Sequence, residues 1–440
     1  MKNYVTSKKE RLSYGGYFLG QNIIFMIVLQ FLMLFYTDVI GISAASVGIL
    51  FFIARTWDAV NDPMLGILVD KMNPKKGKFK PWISAVILLM PIATIFLFIN
   101  PNLGGSGNLA YAYVTYIIWG MVYTISDVPI FALATVMTPN NDERVTLITF
   151  GRVAAMIAGL ISGVIFMPIV TAMGWTNAVI ILSIVAFITM IPIKFFAIER
   201  IKHDRTGGIS FGDIFKFIKI NKPLIAFYSA FLIGGAANTM LVAGPYFAKY
   251  LLGDVNLVGL LTISGLFPML VLLPLVPKMI KKFGKKKIFI YGYGSSIVFT
   301  ILMYVVGYDS LPVVLILNLL RSAGVYVPMM MMGMFSADFV EYGHYKSGKR
   351  AEGVSFSVQT FATKFSQAIG AVIGGFLLGN VYGYVENAEQ TTKAMDGIWQ
   401  MYTIIPTIGM FFAVIIIFKW YHLKESDVQL MIESNNKTAA

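Results

Sequence analysis

Long apolar stretches recur along the whole chain, and their length limits the folds open to it. A helix needs ~20 apolar residues to cross a bilayer, and about twelve stretches approach that length. They lie at roughly 14–38, 45–70, 81–100, 109–136, 148–171, 177–198, 223–251, 257–280, 288–306, 311–340, 353–383 and 398–420. Only 13% of the residues are charged, against about 25% in soluble domains. We therefore expect an all-α polytopic membrane protein with about twelve transmembrane helices.

Basic residues cluster in alternate loops of this pattern. The clusters fall within 2–11, 71–80, 200–222 and 278–287, whereas the loops at 39–44, 101–108, 172–176 and 307–310 contain no lysine or arginine. Loops rich in lysine and arginine stay on the cytoplasmic side of a membrane. The pattern predicts a multi-pass protein of the cytoplasmic membrane with both termini inside. It also explains the net charge of +13 without a nucleic-acid partner.

The longest polar interruption divides the predicted spans into six and six. We expect an N-terminal six-helix bundle at 1–198, a cytoplasmic middle loop at 199–222, and a C-terminal six-helix bundle with a short tail at 223–440. Within the loop, Phe211, Ile214, Phe215 and Ile218 recur at helical spacing among lysines. This pattern predicts a short amphipathic helix on the membrane surface.

The two halves also resemble each other weakly. Basic loops that contain glycine follow the second and the eighth predicted spans, at 66–78 and 281–287. A duplicated six-span unit would produce this pattern, and many secondary transporters are built from such repeats. Short basic turns that merely obey the inside-positive rule would produce it as well.

Two aspartates lie inside the second apolar stretch. Asp58 and Asp62 are four residues apart and so share one face of a helix, with Arg55 and Asn61 close to that face. A charge at mid-membrane costs at least ~2.5–3.5 kcal/mol, which is why such groups usually have a function. The cluster predicts a site for a small cation, and the alternative is a salt bridge to a neighbouring helix.

Few other charges lie as deep. Asp127 follows Thr124 on the fourth span, and the basic residues are Arg152, Arg321 and Lys364. Carboxylate and hydroxyl oxygens suit Na⁺, and a proton could use the same carboxylates with raised pKa values. Arg152 and Lys364 could balance the negative charge or bind a polyol or an acidic substrate. Arg152 could instead snorkel to the surface, and we expect Arg321 to snorkel or to cap a helix.

Two acidic residues end the tenth span. Asp338 and Glu341 precede the basic residues Lys346, Lys349 and Arg350. Opposite charges at one helix end predict an ion-pair latch at the cytoplasmic gate rather than a ligand site.

The composition also excludes several chemistries. The chain has no cysteine, and its histidines (His203, His344 and His422) fall in loops or at a span end. A thiolate or histidine metal site is therefore not expected, nor is a Ser–His catalytic pair. We expect no enzyme activity, no cofactor and no metal beyond a coupling cation. The short tails also disfavour a membrane sensor, which would need a larger output domain.

Several motifs together resemble one family of carriers. The most specific is Trp57-Asp58-Ala59-Val60-Asn61-Asp62-Pro63, followed by Gly77-Lys78-Phe79-Lys80-Pro81-Trp82. Further matches are Phe35-Tyr36-Thr37-Asp38-Val39, Tyr123-Thr124-Ile125-Ser126-Asp127 and the stretch from Ser357 to Lys364. Over roughly 10–425 the chain resembles the glycoside–pentoside–hexuronide:cation symporters. The resemblance implies a major facilitator fold, with two pseudo-symmetric six-helix bundles and alternating access.

The resemblance also implies roles for particular residues. The family's cation site corresponds to Asp58, Asn61, Asp62 and Thr124. Its substrate site and the link to the cation correspond to Gln21, Asn22, Asp127, Phe131, Arg152, Met329, Thr360 and Lys364. Independently of the resemblance, the charge pattern at the end of the tenth span predicts a cytoplasmic gate of Asp338, Glu341 and Arg350. The implied partners are a sugar or glycoside, a monovalent cation (Na⁺, H⁺ or Li⁺), membrane lipid, and a phosphotransferase-type regulatory protein at the cytoplasmic face.

Three departures from the family concern the sugar. Gln21 and Asn22 stand where galactoside carriers have a Lys-Asp pair, and Phe131 and Met329 replace two tryptophans. The pocket is therefore less charged and less aromatic. We expect cation-coupled symport of a sugar or glycoside. The alternative is a proton-coupled carrier of an acidic sugar (hexuronide-type) or a lipid-like substrate.

Overall fold

A computed structural model provides the structure of the chain. It describes residues 4–71, 77, 79–201, 211–348, 352–386 and 388–439. Within those ranges, the side chains of 59, 60, 62–71, 141, 142, 211–214, 352, 353, 356, 357 and 436–439 lie outside the description.

Helices make up the regular structure of these residues, and no strand occurs among them. In chain order the α-helices are α1 (Lys8–Asp38), α2 (Ala44–Lys71), α3 (Lys80–Leu97), α4 (Gly105–Met137), α5 (Asn141–Met173), α6 (Trp175–Met190), α7 (Pro192–Phe196), α8 (Phe211–Ile220), α9 (Lys222–Gly234), α10 (Thr239–Tyr246), α11 (Val258–Leu272), α12 (Val276–Phe283), α13 (Lys285–Val306), α14 (Leu311–Val325), α15 (Val327–Ser347), α16 (Glu352–Phe376), α17 (Thr392–Tyr402), α18 (Ile404–Trp420) and α19 (Glu425–Ala439). Short 3₁₀ segments lie at Gly235–Asn238 and Val255–Leu257, and π-helical turns at Phe247–Leu251 and Leu377–Val381.

Eleven helical segments of the described chain are long and apolar enough to cross a membrane. They do not include α2, a 28-residue helix that carries Arg55, Asp58 and Asp62. Several predicted spans consist of two helices joined at a break, as α14 and α15 are. The predicted all-α membrane fold is confirmed.

The chain divides into two compact units. Unit 1 comprises Met1–Thr206, Asp254–Thr262 and Tyr384–Glu389, and unit 2 comprises Gly207–Gly253, Ile263–Gly383 and Gln390–Ala440. In unit 1, α1 packs against α5 and α6, and α4 against α2 and α3. In unit 2, α18 packs against α9 and α13, and α14 against α13.

One buried hydrogen bond occurs in the same form in each unit. The Tyr17 hydroxyl on α1 lies 2.7 Å from the Ser126 hydroxyl on α4. In unit 2, the Tyr228 hydroxyl on α9 lies 2.7 Å from the Ser336 hydroxyl on α15. The separations along the chain are nearly equal, at 109 and 108 residues. This recurrence supports a duplicated six-span unit.

A second contact that recurs in both units caps the N-terminus of a helix, in unit 1 that of α3. The backbone N–H groups of Phe79 and Lys80 donate to Glu199 Oε1 at 3.0 and 2.8 Å. Gly77 precedes them with φ 103°, and a Cβ there would lie 2.8 Å from the Glu199 carboxylate. Lys80 Nζ donates to the Ala197 carbonyl at 2.9 Å. The carboxylate thus satisfies free N–H groups at the positive end of the helix.

The beginning of α13 in unit 2 is completed in the same way. The Lys285 N–H donates to Glu425 Oε1 at 2.5 Å. Gly284 has φ 80°, and its Cβ would lie 3.2 Å from the same carboxylate. Lys286 Nζ donates to the carbonyl of Tyr421 at 2.6 Å. Glu425 begins the C-terminal helix α19, which therefore belongs to the framework of unit 2.

The helix expected in the middle loop is present as α8, and its place on the membrane surface stays a prediction. Phe215, on the predicted membrane-facing side, is 75% exposed. Phe217 is buried, and its ring occupies the space left by the missing side chain of Gly343 on α15. The side chains of Phe211 and Ile214 lie outside the described residues.

Arg321 on α14 is buried and does not snorkel. Its side chain is 1% exposed, and its Nη1 donates to the Tyr402 carbonyl at 2.6 Å. Tyr402 is the last residue of α17, so the guanidinium lies at the negative end of that helix. Arg321 Nε also donates to Asn318 Oδ1 at 2.9 Å, and Asn318 Nδ2 donates to Ser264 on α11. The residue acts as the helix cap that the sequence allowed.

The close approach of α13 and α14 in unit 2 gives a prediction about stability. A Cβ on Gly324 of α14 would lie 2.1 Å from the Gly292 carbonyl oxygen of α13, which is backbone and cannot rotate away. Gly324→Ala is expected to cost about 1–3 kcal/mol of unfolding free energy, the usual cost of overpacking. Gly333→Ala on α15 is the matched control, because nothing lies within 4 Å of its Cβ. Thermal unfolding of the two purified variants compares them, and equal midpoints would contradict the packing of α13 on α14.

Candidate functional site

The charged residues of α2 form a buried ion pair. Arg55 Nη1 lies 2.9 Å from Asp58 Oδ2, one helical turn further along α2. The residues are 8% and 5% exposed, so both charges are shielded from solvent. Removing two charges from water costs several kcal/mol per ion, which only close pairing offsets. Arg55 therefore supplies an internal positive charge for a carboxylate that would otherwise have to be neutral or bind a cation.

Asp58 faces α4 at a glycine. A Cβ added to Gly120 would lie 3.0 Å from Asp58 Oδ1, so a larger residue would press against the carboxylate. Thr124 lies one turn further along α4 and is 1% exposed. Its hydroxyl donates to the Gly120 carbonyl at 3.2 Å. Asp58 and Thr124 thus both lie next to Gly120, one beside its Cα and the other on its carbonyl oxygen.

Aromatic rings of α4 surround this ion pair. Tyr116, Trp119 and Tyr123 follow one face of the helix, with neighbouring rings 6.0 and 5.4 Å apart. Phe25 of α1 stacks on Tyr123 at 4.9 Å. Trp119 is 1% exposed and its Nε1–H donates to Thr94 on α3 at 2.9 Å. The rings keep water from the pair, which strengthens electrostatic interactions there.

The remaining cation residues are placed less fully. Asn61 lies on α2 and is half-buried. Asp62 lies on the same helix, but its side chain is outside the described residues. The predicted face is therefore observed for Arg55 and Asp58 only. The role of the four residues as a cation site stays a prediction.

One residue predicted to bind substrate in unit 1, Gln21, contacts Asp127, another of that set. Gln21 of α1 is fully buried, and its Nε2 donates to Asp127 Oδ1 at 3.3 Å. The other amide atom, Gln21 Oε1, has no hydrogen-bond partner among the described residues. A buried acceptor without a partner costs ~1–3 kcal/mol. A hydroxyl group from a ligand would satisfy this atom.

The other predicted residues of unit 1 differ in how available they are. The Asn22 amide nitrogen already donates to the Phe18 carbonyl at 2.9 Å. Phe131 is 40% exposed and meets the Phe18 ring edge-on at 5.2 Å. Arg152 is exposed, and Tyr14 experiences its charge together with that of Asp127. Phe131 and Arg152 thus present surface to a ligand, whereas the nitrogen of Asn22 is engaged within α1.

Three predicted substrate residues belong to unit 2. Met329 lies at the start of α15 and is 46% exposed. Thr360 and Lys364 lie one turn apart on α16, Thr360 exposed and Lys364 half-buried. Close by on α16, Gln359 Oε1 accepts the hydroxyl of Ser336 at 2.7 Å. This bond extends the recurrent Tyr228–Ser336 contact to α16.

The predicted gate residues have partners that the sequence did not indicate. Asp338 of α15 forms an ion pair with Lys285, the first residue of α13. The Asn435 side-chain amide of α19 donates to two oxygens of Glu341: the backbone carbonyl at 3.2 Å and Oε2 at 2.9 Å. The expected partner Arg350 lies outside the described residues. The ion pair seen for Asp338 therefore joins α15 to α13.

Gly120, Tyr116 and Lys285 were missed as site residues. A glycine and a tyrosine within an apolar span carry no charge signal, and only the contact of α2 with α4 makes them informative. Lys285 was visible as one of many lysines, and its pairing needs the fold.

Gly120 gives a prediction for the cation site. Gly120→Ala would force the Asp58 carboxylate to move by a few tenths of an ångström. A strain of about 1 kcal/mol corresponds to a roughly five-fold fall in cation affinity. Cation-dependent protection against thermal unfolding measures the effect. Gly105→Ala, at the open start of the same helix, should leave the affinity unchanged, and an equal change in both variants would contradict this geometry.

The fold and these polar groups define a class of protein. The chain is a polytopic membrane transporter of the major facilitator type. A solved structure of the nucleoside transporter NupG superposes with a TM-score of 0.65 at 14% identity, and the match covers 96% of this chain and 99% of that one. Residues 13–425 match the family described as MFS/sugar transport protein, and the chain belongs to that family.

Several curated relatives match over nearly their whole length. An uncharacterized symporter, YnaJ of Bacillus subtilis (strain 168), is 32% identical, with 97% of this chain and 94% of the relative covered. An isoprimeverose transporter of Lactiplantibacillus pentosus is 28% identical, with 98% and 92% covered. A glucuronide carrier protein homolog of Escherichia coli (strain K12) is 28% identical, with 96% and 95% covered. These matches confirm the resemblance found from the motifs, and they confirm a transporter rather than an enzyme.

Proposed function

We propose that this transporter couples the uptake of a sugar or glycoside to a monovalent cation, Na⁺ or H⁺, by alternating access across the cytoplasmic membrane. Both termini would lie in the cytoplasm, as the distribution of basic loops indicates. The observation that carries the proposal is the buried Asp58–Arg55 pair beside Gly120 and Thr124.

The pair supports coupling through competition for one carboxylate. Arg55 neutralises Asp58 without any ion from solution. A cation that binds Asp58 would have to displace the guanidinium, and Asn61, Asp62 and Thr124 would supply further oxygens. Such a carboxylate can pair with the Arg55 guanidinium in one state and with a cation from solution in another. A coupling ion needs this property because it must bind and leave in each cycle. Coupling follows if cation and substrate favour the same conformation.

The groups around Asp127 support a hydroxyl-rich substrate. Asp127 accepts hydrogen bonds, and Gln21 offers an unpartnered buried acceptor beside it. The ring of Phe131 offers an apolar surface of the kind that packs against the face of a sugar. Among the relatives, an isoprimeverose transporter and a glucuronide carrier homolog both carry names of sugar compounds. Arg152, Met329, Thr360 and Lys364 would complete the substrate set.

The acidic-sugar alternative rests on Arg152. Its side chain is exposed, and its charge acts on the nearby Tyr14. A substrate carboxylate would find a guanidinium there, and Lys364 could add a second positive charge. In this alternative the carrier is proton-coupled, and its substrate is a hexuronide-type sugar or a lipid-like acid.

One experiment separates these proposals. Membrane vesicles that contain the protein are given a panel of labelled neutral glycosides and hexuronides, with Na⁺ and pH gradients imposed separately. The main proposal expects accumulation of a neutral glycoside that one gradient drives and the other does not. Accumulation of hexuronides alone, driven by the pH gradient, would favour the alternative. Accumulation without either gradient would contradict cation coupling.

The partners follow from this function. They are the sugar or glycoside, the coupling cation and the surrounding lipid. We also propose a phosphotransferase-type regulatory protein at the cytoplasmic face, where α19 contacts α15 through Asn435 and Glu341.

A further inference from the structure

Five exposed lysines lie around the junction of α12, α13 and the end of α18 in unit 2. We call them the basic patch: Lys278, Lys281, Lys282, Lys287 and Lys419. Two further lysines, Lys285 and Lys286, lie between these residues in the sequence but are half-buried and are not counted in the patch. The patch belongs to one unit, so its geometry is set by the contacts within that unit.

The short helix α12 presents three of these lysines on one side. Val276 and Ile280, four residues apart, are 2% and 9% exposed and hold the helix against the unit 2 core. Lys278, Lys281 and Lys282 project from the opposite side, as the 3.6-residue period requires. The fold therefore fixes the backbone of α12 and leaves its lysines outward.

The lysines of this region differ in whether they have an ion-pair or hydrogen-bond partner. Lys285 pairs with Asp338, and Lys286 donates to the carbonyls of Phe418 and Tyr421 at 2.9 and 2.6 Å. Lys278, Lys281 and Lys287 have no ion pair or hydrogen bond among the described residues, and the Lys282 ammonium lies 5.2 Å from the centre of the Phe283 ring. The nearby carboxylates are engaged: Asp338 by Lys285, and Glu425 by the Lys285 N–H. Within the described part of the chain, no carboxylate forms an ion pair with Lys278, Lys281, Lys282 or Lys287.

Apolar side chains border the same patch. Leu273, Leu275 and Phe283 of the α11–α12 region are 39%, 41% and 41% exposed. The bonds from Lys286 to the end of α18 bring Phe418 and Trp420 alongside, at 66% and 63% exposed. Tryptophan is enriched in those parts of membrane proteins that lie at the depth of the lipid headgroups. The patch therefore combines charge for a phosphate with apolar surface for the chain attached to it.

We propose that the basic patch binds the phosphate headgroup of an anionic phospholipid. The phosphate accepts hydrogen bonds from Lys278, Lys281 and Lys282, whose ammonium groups can converge from one face of α12. The acyl chains lie against Leu273, Leu275 and Trp420. Lysine clusters next to membrane spans attract anionic lipids in this way. Such a lipid would join α12 to the end of α18 and so stabilise unit 2.

Thermal unfolding of the purified full chain in neutral detergent tests the proposal. Added phosphatidylglycerol is expected to raise the midpoint by roughly 3 °C, and an equal concentration of phosphatidylcholine should not. Removing three charges with Lys278→Gln, Lys281→Gln and Lys282→Gln together should abolish the difference between the lipids. The corresponding triple arginine variant keeps the charge and should retain the difference.

The matched control removes three lysines from another part of unit 2. Lys216, Lys219 and Lys222, on α8 and at the start of α9, are also exposed. Their triple glutamine variant should respond to phosphatidylglycerol as the parent does. If the two glutamine variants lose the response equally, the effect is one of general surface charge and the site does not exist.

Two other outcomes would overturn the proposal. Soluble glycerol phosphate that raises the midpoint as much as the lipid would mean that the patch binds free phosphate. A response to phosphatidylglycerol retained by the α12 glutamine variant would place the lipid elsewhere. If that variant does not fold, the single change Lys281→Glu is examined by native mass spectrometry. It should lower the phosphatidylglycerol-bound fraction several-fold, and an unchanged fraction would overturn the proposal.

Discussion

Asp58→Asn is expected to reduce concentrative uptake to background while downhill exchange of the substrate continues. The substitution removes the negative charge that the coupling cation would bind, and it leaves Arg55 buried without its counter-charge. Removing one member of a buried ion pair costs up to ~3–5 kcal/mol, so the variant should also unfold at a lower temperature. Uptake and exchange in vesicles, compared at equal protein levels, measure the two activities separately.

Variants of Arg55 separate the loss of the ion from the loss of stability. Arg55→Gln together with Asp58→Asn removes both charges, so it should recover stability without recovering concentrative uptake. Arg55→Gln alone leaves the Asp58 carboxylate without its internal partner. Its unfolding midpoint should then rise with the added coupling cation more steeply than that of the parent. A midpoint that does not respond to Na⁺, Li⁺ or pH would contradict a cation site at Asp58, and so would full concentrative uptake by Asp58→Asn.

Asp127→Asn is expected to weaken substrate binding by about 10–100-fold and to reduce exchange as well as uptake. A hydrogen bond to a charged group is worth ~1.5–3 kcal/mol, which corresponds to that range. The carboxylate lies beside Gln21 rather than in the Asp58–Arg55 pair. Protection of the protein by the cation should therefore persist. Substrate exchange in vesicles and cation-dependent thermal unfolding give the two measurements.

Ser126→Ala is the control for Asp127. It removes the neighbouring hydroxyl that bonds Tyr17 and leaves the carboxylate, so it should affect stability more than substrate affinity. If Asp127→Asn abolishes cation protection and keeps substrate exchange, the division into a cation site and a substrate site is wrong.

Hydropathy and motifs predicted the fold and the family because both depend on local sequence. A span is recognised by its length of apolar residues, and eleven of the described segments meet that criterion. The motif around Asp58 gave the family that residues 13–425 match. Arg55 was seen near the aspartates, since three residues along a helix bring side chains together.

Contacts between residues far apart in the sequence could not be predicted from hydropathy or motifs. Asp338 is followed by Lys346, Lys349 and Arg350, yet its observed partner is Lys285, 53 residues earlier. The burial of Phe217 was likewise not predicted, and it depends on the space beside Gly343 of α15. In both cases the choice depends on packing against another helix, and helical periodicity holds no information about that helix.

The two helix-completing carboxylates, Glu199 and Glu425, have a practical consequence. Each follows the last span of its own half and completes a helix of that same half, at Lys80 and at Lys285. A gene divided between the codons of Thr206 and Gly207 would leave each of these bonds within a single polypeptide. Separate synthesis of the two pieces would therefore not disturb the start of α3 or of α13. A C-terminal truncation before Glu425, in contrast, would remove the carboxylate that accepts the backbone N–H at the start of α13.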